Sequence, residues 1–288
     1  MELEMLRYLA AKTGLSLNYI SKDEKVSYLL SQIWEIFGES VILKGGTALN
    51  RVYLSKLKVS RFSEDIDLDY SVDCFGHGLD ESIRSINAPA GYEVAHHVSG
   101  LDESIRSINA GMQAVKDFDV SGPKILHRTL RFDCHYINEL GNRDRVRVEF
   151  YLSKPPSVEA KPALVKSPFV DSYPTIFRVY SLEDLLARKL IALHNRMDGK
   201  DIYDVFYALK LDFDMEKFEN ALKLVLDFYR IDRNFFENVT GKLDEARKNA
   251  RYIGNSTNHF IPKHLRPSWV EMIESLKGEI EKHKLKTG

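Results

Sequence analysis

The segment Val41 to Val72, VILKGGTALNRVYLSKLKVSRFSEDIDLDYSV, constrains the fold more than any other part of the chain. It joins an apolar run, a double glycine, a helical pattern and a strand studded with acids. Val41, Ile42 and Leu43 form a β-prone run that stops at Gly45-Gly46. Thr47 then stands where it would cap a helix, with Ala48, Leu49, Val52 and Tyr53 on one face. A strand, a glycine turn and a helix start, in that order, can cradle phosphate. Glycine lets the backbone come close, the amides and dipole of the helix start favour negative charge, and the Thr47 hydroxyl adds a donor. Taken alone, the same pattern also describes an ordinary turn and cap.

The acids that follow narrow the choice. In a strand, side chains alternate faces, so Asp65, Asp67 and Asp69 point one way while Ile66, Leu68 and Tyr70 point the other. Three carboxylates on one face repel one another and need counter-charge, either from lysines beside a solvated edge or from divalent cations. Carboxylates at i and i+2 can hold two Mg²⁺ ions about 4 Å apart, one activating an attacking hydroxyl and one holding a leaving pyrophosphate. Beside the glycine turn, the cation reading is the stronger.

KGGTAL and RFSEDIDLD resemble the first motif of the AbiEii family of bacterial and archaeal nucleotidyltransferases, relatives of the MenT toxins within the polymerase-beta-like superfamily. The likeness runs more loosely from about Ile20 to Leu209. It implies an α+β fold: a polymerase-beta-like core, with a small mixed sheet flanked by helices, followed by a helical C-terminal half. It further implies Mg²⁺ (or Mn²⁺) and a nucleoside triphosphate (NTP) as substrate, whose nucleoside monophosphate is moved to an acceptor, with a tRNA 3′ end as acceptor and a cognate antitoxin as partner. Asp65 and Asp67 would bind the metal, and Lys44, Gly45, Gly46 and Thr47 the nucleotide. Two other readings stand beside it. One is a stand-alone transferase modifying a small molecule or protein; the other is a nucleotide-binding module without turnover, against which the intact acids argue.

Composition sets the outer bounds. A chain of 288 residues with 44% hydrophobic content can bury a sizeable core in one unit or two lobes. No apolar run approaches the roughly 20 residues of a membrane span, and MELEMLRYLAAK carries acids where a signal peptide needs basic residues. A cytoplasmic protein is expected. Cys74 and Cys134 are too few for a disulfide framework and lack zinc-ligand spacing. Residues 241–288 hold ten Lys/Arg against six Asp/Glu, a surplus that would attract a nucleic-acid backbone or simply belong to a solvated helical surface. No sequence-specific DNA-reading motif is present.

Along the chain, residues 2–12 read as a helix ending near Gly14, and Ser21-Lys22-Asp23-Glu24 has capping-box form before Val26, Leu29, Leu30, Ile33, Trp34 and Phe37. GLDESIRSINA occurs twice, at 78–88 and 100–110, through a recent local duplication or a sequence error. Each copy reads as a short helix with its Leu and two Ile inward. The intervening His96-His97 pair, taken as loop, has no ligand spacing. Leu130, Phe132, Cys134 and Tyr136 alternate with polar residues, as do Val146, Val148 and Phe150, and Gly141-Asn142 supplies turn chemistry between them, giving a β-hairpin. Glu149, in RVEFY, is similar to the family's second motif and would supply the third metal carboxylate; a cross-strand pair with an arginine is the plainer alternative.

Five prolines between 155 and 174 suggest a connecting segment, with domains at 1–178 (the nucleotidyltransferase core) and 179–288 (helical). Ser181 opens a helix whose apolar stripe is interrupted by Lys189. A buried ammonium needs anions, so Lys189 either snorkels outward or reaches nucleotide phosphates. Arg188-Lys189 and the stretch Arg196 to Asp204 match later family motifs. They imply that Lys189 contacts the triphosphate and that Asp201 orients Lys189 or the acceptor, with Asp204 beside it. Helices at 214–229, 233–252 and from Ser268 complete the chain.

Overall fold

The structure, a computed structural model, describes residues 1–70, 95–126, 129–152, 156–231 and 234–284. Leu3–Thr13 (α1) ends where Gly14 takes a left-handed conformation and donates its amide to the Ala10 carbonyl. Leu17–Phe37 (α2) starts earlier than the Ser21 box suggests. Ser16 caps it, accepting from the amide of Tyr19. The box residues lie inside the helix because their side chains serve tertiary contacts: Ser21 donates to Glu139, and Asp23 forms a buried pair with Arg51.

A seven-stranded mixed sheet forms the centre. Its strands are β1 (Val41–Lys44), β2 (Asp65–Tyr70), β3 (Asp119–Leu126), β4 (Thr129–Ile137), β5 (Arg143–Tyr151), β6 (Ala160–Val165) and β7 (Thr175–Tyr180). Their order is β3-β4-β5-β2-β1-β7-β6. β2 lies antiparallel to β1 and parallel to β5, while β7 runs parallel to β1. The hairpin read from the alternation is β4–β5. Leu130, Phe132, Cys134, Val146, Val148 and Phe150 turn to the buried face, against Leu30, Ile33 and Phe37 of α2. Each fully buried Leu, Val or Phe of such a face contributes roughly 1.5–3 kcal/mol.

The proline-rich segment is more than a connector, since it supplies β6 and β7. Pro162 sits on the edge strand and Pro174 just ahead of β7, the positions at which a missing amide costs a sheet least. Residue 178 falls within β7, and buried side chains from before and after it share one core.

Helix α4 (Ala95–Gln113) contains the second copy of the repeat, and His96-His97 fall within it rather than in a loop. Ile105 and Ile108 face the core, but Leu101 is 46% exposed, contrary to the inward Leu expected. The first copy lies outside the described residues, as does Cys74.

After β7 come α5 (Leu182–Arg196), α6 (Gly199–Ala208), α7 (Met215–Tyr229), α8 (Phe235–Lys248), α9 (Ala250–Thr257) and α10 (Trp269–Lys284). The single helix expected over 233–252 is divided at Asn249. Trp269, Met272, Ile273, Leu276 and Ile280 of α10 are buried on one face, as their spacing requires. Among the described residues, no helix is long and apolar enough to cross a membrane.

Candidate active site

A short helix, α3 (Gly45–Ala48), begins directly at the double glycine, with Lys44 rather than Thr47 in the capping position. A π-helical turn (Leu49–Tyr53) and a 3-10 turn (Leu54–Leu57) continue it, and β2 follows. Thr47 sits inside the first turn, fully buried. Its hydroxyl donates to the carbonyl of Asp65 and bonds Ser63, so it ties the glycine turn to the acidic strand.

That tie sets the distance between the two motifs. Gly45 has a φ of +70°, and a β-carbon there would overlap the carboxylate of Asp67. One at Gly46 would crowd the Arg61 guanidinium and the Ser63 hydroxyl. Both glycines are therefore needed, Gly45 to bring backbone against Asp67 of β2 and Gly46 to bring it against Arg61 and Ser63 in the loop before β2.

A cavity of about 640 Å³ opens over this junction. Lys44, Gly45, Gly46, Asp65, Asp67, Glu149 and Lys189 all line it; Thr47 and Asp201 do not. Asp67 and Glu149 are directly opposite each other on the parallel strands β2 and β5, with Asp65 two residues along. Burial pushes the Asp67 carboxyl up to about 6, and the negative charges of Asp65 and Glu149 add to the shift while Lys44 opposes it. Asp65 is raised as well, by burial first and then by Glu64.

Two adjacent, partly desolvated carboxylates with a third across the strand are a donor set that a hard divalent cation would satisfy. Among the described residues, no three Asp, Glu, His or Cys side chains form a ready-made metal cage. The arrangement fits an ion that takes a few carboxylate oxygens and completes its shell from substrate phosphates and water, the usual habit of Mg²⁺.

Asp69, on the same face, has another task. It is fully buried, paired with Lys44, accepts from the Tyr180 hydroxyl at 2.6 Å and lies 3.6 Å from Arg188. Lys44 in turn stands over the Tyr151 ring, 3.3 Å from its centroid. Tyr151 donates to Glu149 at 2.9 Å, a bond that holds the third carboxylate toward Asp67. Arg131 is the residue opposite Glu149 on β4, yet the recorded bond of Glu149 is to Tyr151.

The opposite wall comes from α5 and α6. Lys189 is only 7% exposed and does not snorkel: its Nζ lies 3.0 Å from Asp201 and 2.8 Å from Asp204. Arg61 grips Asp204 through Nε at 2.9 Å and Nη2 at 2.5 Å, and Asn50 donates to the same carboxylate at 3.1 Å. Arg196 binds Asp201 with two nitrogens, at 2.5 and 2.9 Å. Burial alone would raise Asp201, but Arg196 and Lys189 outweigh it and hold the carboxyl at about 2. Asp204 is lowered too: burial opposes the shift, and Arg61 and Lys189 overcome it. Burial acts to lower Lys189, and the two aspartates more than reverse it.

Three cations meet two carboxylates in this web, so one positive charge remains in surplus on the wall facing the acids. Arg61, Asn50, Tyr151 and Tyr180 have no role in the sequence reading. Their only signal was proximity in sequence to the motifs; the tasks of Arg61, Asn50 and Tyr180 depend on contacts spanning more than 100 residues, while Tyr151 reaches Glu149 two residues away on the same strand.

The chain matches the model of the family described as nucleotidyl transferase AbiEii toxin, type IV TA system, over residues 28–287. No curated protein sequence is similar enough to match. Among solved structures, MenT4, the nucleotidyltransferase toxin Rv2826c from Mycobacterium tuberculosis H37Rv, is similar in fold, with a TM-score of 0.60 and 16% identity. That alignment covers 100% of this chain and 93% of the other. JHP933 from Helicobacter pylori is similar with a TM-score of 0.51 and 15% identity, covering 94% and 97% of the two chains. With the glycine turn, the acidic strand and the helical half all inside the matched region, the chain is a nucleotidyltransferase belonging to the AbiEii toxin family.

Proposed function

We propose that the enzyme moves a nucleoside monophosphate from an NTP to the 3′ end of tRNA, with Mg²⁺ or Mn²⁺, and that a cognate antitoxin restrains it. The observation that carries the chemistry is the meeting of Gly45, Asp67 and Glu149 at one point of the cleft. Asp65, Asp67 and Glu149 are the residues that would hold the divalent ion. When bound, such an ion polarises the α-phosphoryl group, favours ionisation of the acceptor hydroxyl and neutralises departing pyrophosphate.

The chain's own residues do the positioning. The backbone at Gly45 and Gly46 lets the triphosphate lie against β2, and Lys44 places a buried cation beside it. The surplus charge of the Lys189 web, with Arg188 and Lys200 on the same cavity wall, favours the polyphosphate over its hydrolysis products. Asp201 acts as a positioning residue that fixes Lys189. Chemistry of this type needs orientation and charge neutralisation more than covalent participation. The tRNA and antitoxin parts of the reading rest on the family alone.

The test is incubation of the purified protein with Mg²⁺, each α-labelled NTP in turn, and total tRNA. Label should enter RNA and be absent with Asp67→Ala. Label found only in protein or small molecules would keep the chemistry and replace the acceptor. Triphosphate binding with no transfer to any acceptor would overturn the reading in favour of a binding module.

A further inference from the structure

The polar face of the sheet does not end at the carboxylates. Because directly paired residues share a face, the row of Glu149 continues to Arg131 on β4 and Lys124 on β3. The next row runs from Arg147, beside Asp65, to Asp133, and the one after it from Arg145 to His135. No buried apolar residue lies on these rows, since the alternating positions Leu130, Phe132, Cys134, Val146 and Val148 all point to the other side.

Four cations, Lys124, Arg131, Arg145 and Arg147, thus stand around Asp133; the other carboxylates of these rows lie at the ends, Glu149 and Asp65 at the catalytic cleft and Asp119 beyond His135, where it is paired with Arg143 at 3.1 Å. Asp133 is 3% exposed, and three of them stand near it: Arg145 at 3.4 Å, Lys124 at 3.7 Å and Arg131 at 3.9 Å. These are charge contacts without hydrogen bonds: the Oδ1 of Asp133 accepts none, and the Nε groups of Arg131 and Arg147 are buried without a hydrogen-bond partner. Buried donors of this kind are normally satisfied, and with Glu149 and Asp65 turned to the cleft and Asp119 taken by Arg143, the middle of the face sets four cations against Asp133 alone, a local surplus that calls for anions. At the outer end, Lys124 and Arg145 are 66% and 45% exposed. At the inner end, Arg147 and Glu149 line the catalytic cavity.

We propose that this face is the acceptor track. An RNA strand would lay its phosphodiester backbone across β3, β4 and β5, its phosphates over Lys124, Arg145, Arg131 and Arg147, and so deliver its terminal hydroxyl to Asp65, Asp67 and Glu149. The inference rests on the nucleotidyltransferase reading for its direction, but not for its charge. A phosphate chain matches the site better than an acidic protein segment does. The donors are guanidinium groups in a row at strand spacing, suited to a repeating anion, and the track ends at the cavity where a hydroxyl is needed.

The test is equilibrium binding of end-labelled single-stranded RNA and of total tRNA by the whole protein across a KCl series, alongside NTP binding and the transfer assay. The variant is the double substitution Lys124→Ala/Arg145→Ala, at exposed positions outside the cavity. RNA affinity should fall about tenfold, and the slope of log K against log salt should flatten by about 1.4, the value for two lost single-strand phosphate contacts. NTP binding should stay unchanged, the KM for RNA should rise while kcat holds, and Arg145→Lys should behave like the native protein. Unchanged RNA affinity and slope in the double variant would overturn the track, even if transfer to RNA is observed. So would a native protein that binds an acidic protein partner through these residues and no RNA. Patch-dependent RNA binding with no transfer would uphold the track and defeat the transferase reading instead.

Discussion

Gly45 lies so close to Asp67 that a β-carbon at position 45 would overlap the carboxylate. The contact fixes how near a ligand resting on the glycine turn stands to the acids of β2. Gly45→Ala therefore strikes the site twice, through steric overlap and through a φ of +70° that costs a non-glycine residue roughly 1–2 kcal/mol. Transfer should drop at least about a hundredfold, while stability falls by only a few kcal/mol, since displacing a carboxylate by about 1 Å is enough to spoil positioning. Initial rates and urea melts of the same preparation would check this, and a Gly45→Ala protein with native rates would refute the positioning argument.

The Lys189 web should show up in stability. Asp204 holds Arg61, Lys189 and Asn50 with no exposure to solvent. Asp204→Asn leaves two buried cations short of a counter-charge and should cost roughly 3–5 kcal/mol, the usual penalty for breaking one side of a buried pair. Arg61→Met should cost less when combined with Asp204→Asn than when made alone. A double-mutant cycle in urea gives the coupling directly, and additive losses would mean the web is not energetically connected.

Asp201, with Asp204 beside it shifted in the same direction, contributes a pH dependence to stability. Its carboxyl is held at about 2 in the folded protein against an ordinary 3.8. A depressed carboxylate stabilises the fold fully above its unfolded value and loses that contribution as pH falls through the folded one. About 2 kcal/mol should accordingly be present at pH 5 and above and disappear between roughly pH 4 and pH 2. Urea midpoints followed from pH 6 to pH 2.5 should show this acid limb, and Asp201→Asn should lower stability at pH 6 and flatten the limb.

Much of this architecture was legible in the chain because local rules dictate it. Period-two alternation exposed the β4–β5 hairpin, and the alternation of β2 placed Asp65, Asp67 and Asp69 on one face. What separated Asp69 from its neighbours was invisible: Lys44, Tyr180 and Arg188 come to it from β1, β7 and α5. Thr47 was misread for a related reason, since a hydroxyl at a helix start looks like a cap until the carbonyl of Asp65 claims it. Lys189 announced itself by interrupting an apolar stripe, but its partners required the fold. β6 and β7 were hidden by prolines that mark edges and strand starts as readily as loops.

The repeated segment yields the last prediction. Gly111 follows the second copy of GLDESIRSINA, and a β-carbon there would run into the ring of Phe37, while Met112 beside it is fully buried. Phe37 is in turn packed on Phe150 of β5, with ring centroids 5.3 Å apart, so the ring has little room to yield. In the first copy the corresponding residues are Pro89 and Ala90, which lack both the small size and the apolar bulk that this slot demands. The two copies are therefore not interchangeable against α2, although their shared residues are identical. Gly111→Ala should destabilise the protein by about 1–3 kcal/mol, the range for forcing extra volume into a packed core, and Gly111→Ala/Phe37→Leu should recover part of the loss. Urea unfolding of the native protein and the two variants checks this, and a Gly111→Ala protein as stable as native would show that the slot beside Phe37 is not tightly packed.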